Sequence, residues 1–159
     1  MESKEIRNAG LKVTMPRIKI LQILESTPDR HLSAEDVYRA LLEVGSEIGL
    51  ATVYRVLTQF EAAGLVHRHN FDGGHSIFEL ASEEHHDHMV CVESGTILEF
   101  RNEEIERIQH EIAHAHGYTL VDHDLVLYVR PQNSTKAPVA RLSKKSMKIP
   151  ADGKHTDKR

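Results

Sequence analysis

Apolar residues in the first 80 positions recur at helical spacing in three stretches, of which the third is the clearest. Val53, Val56, Leu57 and Phe60 stand at i, i+3, i+4 and i+7, a pattern that predicts the buried face of a helix beginning near Leu50. The polar residues between them would face outward. Two similar stretches precede this one, so the pattern predicts three helices in succession.

Each of the two earlier helices has sequence signals for its beginning and its end. We expect Thr14 to cap the first, which stops before Pro28. We expect Ser33 and Asp36 to form a capping box at the second, which stops at Gly45. Their apolar faces hold Ile20, Leu21, Ile23 and Leu24 in the first helix, and Val37, Ala40, Leu41 and Val44 in the second.

The pattern changes to strand spacing after Gly64, a residue that suits the position just beyond a helix end. Residues 65–70 and 75–80 predict two strands, joined by a turn at 71–74. Two helices, a short turn, a third helix and a hairpin are the order of a winged helix-turn-helix, whose third helix enters the major groove of DNA. We therefore predict a winged-helix domain over residues 1–82.

The second half of the chain predicts a smaller mixed domain. Strands are expected at 89–92 and 96–100, followed by a helix that Asn102 caps and Gly117 ends, and by a dense apolar strand at 125–129. The apolar side of that helix holds Ile105, Ile108, Ile112 and Ala115. The fold class is therefore α+β, with a small α/β domain at residues 83–132 and a tail at 133–159.

Charge and histidine are unevenly distributed among these segments. The chain has a net charge of −4 and 12 histidines, of which residues 81–130 hold 7, together with a net charge of −8. A segment rich in carboxylate and imidazole has the chemistry of a divalent-cation site, although an acidic, solvated surface has the same composition. The tail has a net charge of +6. We expect it to be mostly disordered, serving either for affinity to nucleic acid or for solubility.

Composition also excludes several classes of protein. One cysteine cannot form an intrachain disulfide or a four-cysteine zinc site. No stretch of 18 consecutive apolar residues is present, so we expect no membrane span, and the charged N-terminus does not resemble a secretory signal. We therefore expect a cytoplasmic protein without membrane partners.

The run of histidines at 85–88 carries the most specific chemistry in the sequence. Because side chains alternate along a strand, His86 and His88 would face one side while His85 and Asp87 face the other, which allows two separate metal sites. Glu79 and Glu99 are close enough in sequence to join one of them. Imidazole and carboxylate without thiolate suit Fe(II), Mn(II), Zn(II) and Co(II). A merely solvated loop before a strand is the alternative.

The outward face of the third helix carries groups that can contact base edges: Thr52, Tyr54, Arg55, Thr58 and Gln59. An ordinary amphipathic helix has a similar polar face, and the near-neutral charge of residues 1–80 lacks the usual basic footprint of a DNA-binding protein. Basic residues do cluster near the N-terminus. Lys12 and Arg17 belong to that cluster and are candidates for phosphate contacts.

Three motifs together resemble the ferric uptake regulator family. They are Ala-Gly-Leu-Lys-Val-Thr-Met-Pro-Arg at 9–17, Gly-Leu-Ala-Thr-Val-Tyr-Arg-Val-Leu at 49–57, and His-His-Asp-His at 85–88. They stand in the order and spacing of that family. The resemblance covers about residues 5 to 130 and does not include the tail.

The resemblance implies two metal sites and a mode of assembly. The regulatory site would consist of His31, Glu79, His86, His88 and Glu99, and a second site of His85, Asp87, Glu106 and His123. Tyr54 and Arg55 would belong to the recognition helix, and Lys12 would reach the DNA from the N-terminal segment. The C-terminal domain would form a homodimer, or a tetramer on DNA, that presents paired recognition helices to a pseudo-palindrome.

Two departures from the family pattern narrow this resemblance. Many members hold a structural zinc with two C-x-x-C pairs, whereas this chain has only Cys91, with Ser94 at the partner position. It therefore resembles the subgroup without that zinc, and we expect Cys91 to be a buried small residue. Peroxide-sensing relatives carry Asp where Glu99 stands, so Glu99 favours iron sensing.

The resemblance implies a transcriptional repressor, not an enzyme. It would respond to iron, bind operator DNA as a metal-loaded dimer and control iron-uptake genes. One or two ions per subunit are expected, Fe(II) in the cell with Mn(II), Co(II) or Zn(II) as substitutes. Alternatives are a zinc- or manganese-sensing repressor, a His/carboxylate metalloenzyme that would show turnover, and a metal buffer that would show no specific DNA affinity.

Overall fold

The computed structural model describes residues 2–71, 75–82 and 84–135. The elements in chain order are α1 (Glu2–Asn8), α2 (Met15–Ser26), β1 (Leu32–Ser33), α3 (Ala34–Glu43), α4 (Leu50–Ala62), β2 (Val66–Asn70), β3 (Ser76–Leu80), β4 (Asp87–Cys91), β5 (Ile97–Phe100), α5 (Glu103–Ala115) and β6 (Val126–Val129). No helix among these residues is both long enough and apolar enough to cross a membrane. The α+β class predicted from the sequence is confirmed.

The N-terminal half is a winged helix built around one apolar core. The faces predicted for α2, α3 and α4 pack together and against the sheet, whose strand order is β1-β3-β2. Val53, Leu57 and Phe60 of α4 are fully buried, as the spacing predicts, which leaves the polar face of the helix toward solvent. The apolar face of α4 therefore anchors the helix in the core.

The predicted capping box is present, but one predicted cap is wrong. The Ser33 side chain accepts a hydrogen bond from the Asp36 backbone N–H, and the Asp36 carboxylate accepts one from the Ser33 N–H. Thr14 occupies the position before α2, yet its side chain makes no capping hydrogen bond. Pro16 in the first turn leaves one fewer backbone donor there to satisfy. Gly64 has a φ of +73° just beyond α4, as expected of that position.

The C-terminal half is a three-stranded sheet of order β5-β4-β6 with one helix, α5. β4 pairs antiparallel with β5 and parallel with β6, and α5 lies in the long connection that a parallel pair requires. Asn102 caps α5 by accepting from two backbone N–H groups, as predicted. Among the described residues of this half, only Val90 is a buried hydrophobic side chain. The apolar side of α5 is left uncovered within one chain.

Two elements and one residue differ from the expectations. Neither α1 nor β1 was predicted, since α1 buries only Ile6 and β1 is two residues long, too short for any periodicity. Cys91 is half-buried rather than buried, because it lies at the end of β4. The domain boundaries at 82/83 and 132/133 stay predictions. Turn residues 72–74 and tail residues 136–159 lie outside the described residues.

Candidate metal centres

The regulatory centre is assembled by strand pairing. β1 pairs with β3 so that Leu32 lies opposite Phe78, which brings His31, one residue earlier, beside Glu79. β4 pairs with β5 so that His88 lies opposite Glu99. His86, two residues before His88, faces the same side. All five residues that the resemblance implied are therefore brought together, two from the N-terminal half and three from the C-terminal half.

Glu79 is the centre of this group. Its Oε2 lies 2.8 Å from His31 Nε2 and 3.3 Å from His88 Nε2, while His86 Nε2 lies 3.3 Å from its Oε1. One donor atom from each of His31, Glu79, His86 and His88 can be chosen so that all four lie within 4.8 Å of one another. Glu99 stands at the edge, 3.6 Å from His31 Nε2 and 3.9 Å from His86 Nε2.

The Glu79 carboxylate is kept ionised by its surroundings. Burial alone would raise its pKa, but the close imidazole nitrogens of His31, His69 and His88 outweigh burial and hold the pKa of Glu79 far below its usual range. An ionised carboxylate among these imidazoles is a ready ligand for a divalent cation, because metal binding at that oxygen need not displace a proton.

The second centre lies on the opposite face of β4, as the alternation predicted. His85, Asp87, Glu106 of α5 and His123 before β6 bring one donor atom each to within 4.8 Å of one another. His85 Nε2 is 2.9 Å from His123 Nε2, and each of these nitrogens is 3.4 Å from Asp87 Oδ1. All four residues belong to the C-terminal half.

Both donor sets fit a metal ion. Ligand bonds of 2.0–2.1 Å in a tetrahedral site put neighbouring donor atoms about 3.4 Å apart, close to the separations found at the second centre. The Asp87 side chain is 1% exposed, yet neither of its oxygens accepts a hydrogen bond from the described residues. A buried, unsatisfied carboxylate is costly unless a cation compensates it. Asp87 therefore points to a bound cation at this position.

The candidate DNA-contacting residues lie on or near the free face of α4. Tyr54 and Arg55 are exposed and Thr52 is half-buried. Tyr54 donates its hydroxyl hydrogen bond to Glu35 Oε1 at 2.7 Å. Arg17 donates to the Lys12 carbonyl and to Gln59 Oε1, so it ties the segment before α2 to α4, and Lys12 itself is exposed.

Sequence reasoning missed one residue of the regulatory centre. His69 of β2 places its Nε2 3.0 Å from Glu79 Oε1, and its ring lies 4.5 Å from that of His88. Its position two residues before the predicted turn, on the strand paired with that of Glu79, was the available signal. Because no other candidate ligand stands next to His69 in the sequence, local pattern gave no reason to select it.

Comparison with known proteins matches most of the chain to one family. The pattern of the ferric uptake regulator family matches residues 8–128. The ferric uptake regulation protein of Pseudomonas aeruginosa is 67% identical over 130 residues, which are 82% of this chain and 97% of that protein.

Two solved structures have the same fold. The ferric uptake regulator from Pseudomonas aeruginosa with manganese gives a TM-score of 0.73 at 64% identity, covering 83% of this chain and 98% of that one. The ferric uptake regulator from Francisella tularensis with iron gives 0.73 at 44% identity, covering 77% and 93%. From its sequence, its fold and its paired His/carboxylate centres, the chain belongs to the ferric uptake regulator family.

Proposed function

We propose that this chain is an iron-responsive transcriptional repressor, which binds operator DNA as a metal-loaded dimer and controls iron-uptake genes. The observation that carries the proposal is the composition of the regulatory centre. His31 and Glu79 come from the winged-helix half, whereas His86, His88 and Glu99 come from the other half. Residues that share one ion across this junction would hold the recognition helix in one orientation.

The described surface of the winged helix supports DNA as the partner. Arg55 can contact guanine edges, while Thr52 and Tyr54 can contact thymine methyl groups or phosphates. Lys12 and Arg17 flank α4 and would contact the backbone, with Arg17 also positioning the segment that carries Lys12. We assign these five residues to the DNA interface. Because its partner would be operator DNA, we also propose a cytoplasmic location.

Uncovered apolar side chains in the C-terminal half support a homodimer. Leu98 of β5 and Ile112 of α5 are both 56% exposed, and Ile108 is 42% exposed. Apolar groups of this size on a half with almost no core of its own favour burial against a second copy. One twofold dimer would present two recognition helices to the half-sites of a pseudo-palindrome. Two such dimers, and therefore a tetramer of chains, would bind a longer operator.

The ligand chemistry is compatible with Fe(II), which we propose as the cellular ion at one or two sites per subunit, with Mn(II), Co(II) and Zn(II) as substitutes. Neither centre offers a thiolate, and both combine imidazole with carboxylate, which suits these borderline metals. A bound divalent ion would supply positive charge at the domain junction. Metal and DNA would each strengthen the binding of the other by the same factor.

The test is fluorescence anisotropy of a labelled, AT-rich pseudo-palindromic duplex with the demetallated full chain at fixed salt. Anaerobic Fe(II), Mn(II) and Zn(II) are titrated in separate arms. Affinity for the operator, but not for a scrambled duplex, should rise at least tenfold with Fe(II) or Mn(II). An operator affinity that saturating metal leaves unchanged would exclude a metal-gated repressor, and a response to Zn(II) alone would replace iron with zinc.

A further inference from the structure

His69 and Glu79 lie on the same face of the β1-β3-β2 sheet. The register of β2 and β3 places His69 opposite Ile77, two residues before Glu79, so the two side chains are diagonal neighbours across the pair. The His69 side chain is 17% exposed, and its Nε2 lies 3.0 Å from Glu79 Oε1. This contact comes entirely from the DNA-binding half of the chain.

The two carboxylate oxygens of Glu79 have different closest partners, while His86 Nε2 lies near both, 3.3 Å from Oε1 and 3.5 Å from Oε2. Oε2 lies among the ligand nitrogens, 2.8 Å from His31 Nε2 and 3.3 Å from His88 Nε2. Oε1 is the oxygen that His69 approaches. The contact of His69 Nε2 with Oε1 therefore limits the rotation of the carboxylate and keeps Oε2 directed at His31 and His88.

The ring of His69 is itself held in place by two neighbours. It stacks on Phe71, with ring centroids 5.4 Å apart and an interplanar angle of 3°, and its centroid lies 4.5 Å from that of His88. Phe71 also approaches the His88 ring, at 5.4 Å. Because its ring is packed on two sides, His69 has little freedom to turn away from Glu79.

We propose that His69 is a positioning residue of the regulatory centre, which holds the Glu79 carboxylate in place for the metal through the 3.0 Å contact between its Nε2 and Oε1. The inference rests on the proposed function, since it concerns the same centre. His69 contacts Glu79 Oε1 and stands outside the group of four close donors, so we assign it the role of orienting a ligand. Loss of such an orienting contact typically lowers metal affinity by about 10–100-fold.

The experiment is direct titration of the demetallated full chain with Mn(II), followed by electron paramagnetic resonance in the absence of DNA. His69→Ala should weaken one of the two sites by about 10–100-fold and leave the other unchanged. His69→Gln should recover most of the affinity, because its amide can donate to Glu79 Oε1. His67→Ala is the matched control, since His67 is exposed on the same strand and lines the same cleft of about 270 Å³.

Absorption spectra of the Co(II) protein separate a positioning residue from a ligand. The spectrum of the regulatory centre in His69→Gln should keep the band positions of the parent chain. Shifted bands would mean that His69 binds the metal directly and would overturn the proposal, as would unchanged Mn(II) affinity in His69→Ala. Because no DNA is present, failure of metal-gated DNA binding would leave these results standing, and the reverse also holds.

Discussion

The two metal centres share the strand β4 but draw on different parts of the chain. The regulatory centre takes the candidate ligands His31 and Glu79 from the winged-helix half and three from the other half, whereas every candidate ligand of the second centre lies between residues 85 and 123. An ion at the first centre would bear on how the halves are arranged. An ion at the second would bear on the fold of one half only. Because side chains alternate along a strand, β4 would contribute both to signalling and to stability.

The two halves of the chain also differ in the size of their apolar cores. Among its described residues the winged helix buries an apolar core of 15, which stabilises it without metal. The C-terminal half buries Val90 but also the polar side chains of Asp87 and His88. A domain with so little apolar core depends more on bound metal or on a second copy for its stability.

The two centres should differ most when one histidine is removed from each, His88 on β4 from the regulatory centre or His85, just before β4, from the second centre. His88→Ala removes a ligand of the regulatory centre and should lower metal affinity there by more than about 100-fold, since even an outer-shell change costs 10–100-fold. Metal-dependent operator binding should be lost with it. His85→Ala removes a ligand from the other face and should leave operator affinity within about threefold at saturating Mn(II).

Anisotropy with the same operator measures both variants, and calorimetric titration assigns the site that each one loses. Equal losses of operator affinity in the two variants would contradict the division of roles. The midpoint of thermal unfolding with metal should show the opposite order, with the larger decrease in His85→Ala.

Acid should weaken the regulatory centre more steeply than the second centre. The pKa of Glu79 lies far below its ordinary value of 4.5, so the stabilisation it contributes is fully present above pH 4.5 and is lost only as the pH falls toward that depressed value. The Glu79 carboxylate stays ionised between pH 7 and pH 5, so the number of histidines in each centre decides its response to acid, because metal binding requires neutral imidazole. The regulatory centre has three such ligands and the second centre has two.

The ratio of the two Mn(II) affinities should therefore change by up to about tenfold per pH unit, in favour of the second centre. Competition titrations from pH 7.5 to pH 5.5 measure this ratio. A constant ratio would mean that the two centres release equal numbers of protons, which the ligand sets do not predict.

The smallest effects are expected from two helix caps, one near each centre. Ser33 caps α3 two residues after His31, and Asn102 caps α5, which carries Glu106. Replacing either with Ala should cost about 1 kcal/mol of unfolding free energy. Urea unfolding measures this cost, and metal titration should show Ser33→Ala weakening the regulatory centre and Asn102→Ala the second. If Ser33→Ala weakened the second centre, or Asn102→Ala the regulatory centre, each cap would not be supporting the centre nearest to it.

The sequence predicted those features of the centres that depend on local geometry. Alternation along β4 separated His86 and His88 from His85 and Asp87, and helical spacing gave the buried face of α4. Long-range pairing was not predictable in this way. His31 was implied only by resemblance, because its place beside Glu79 depends on the two-residue strand β1. His69 was missed because its partner is set by the register of two strands rather than by a local motif.

Linkage between metal and DNA is the most direct test of the central claim that the regulatory centre couples the two halves. Mn(II) affinity of the full chain is measured with and without saturating operator, in the parent chain and in His85→Ala. If the regulatory centre couples the halves, operator raises Mn(II) affinity in both chains, by the same factor by which Mn(II) raises operator affinity. A Mn(II) affinity at the regulatory centre that operator does not change would contradict this coupling.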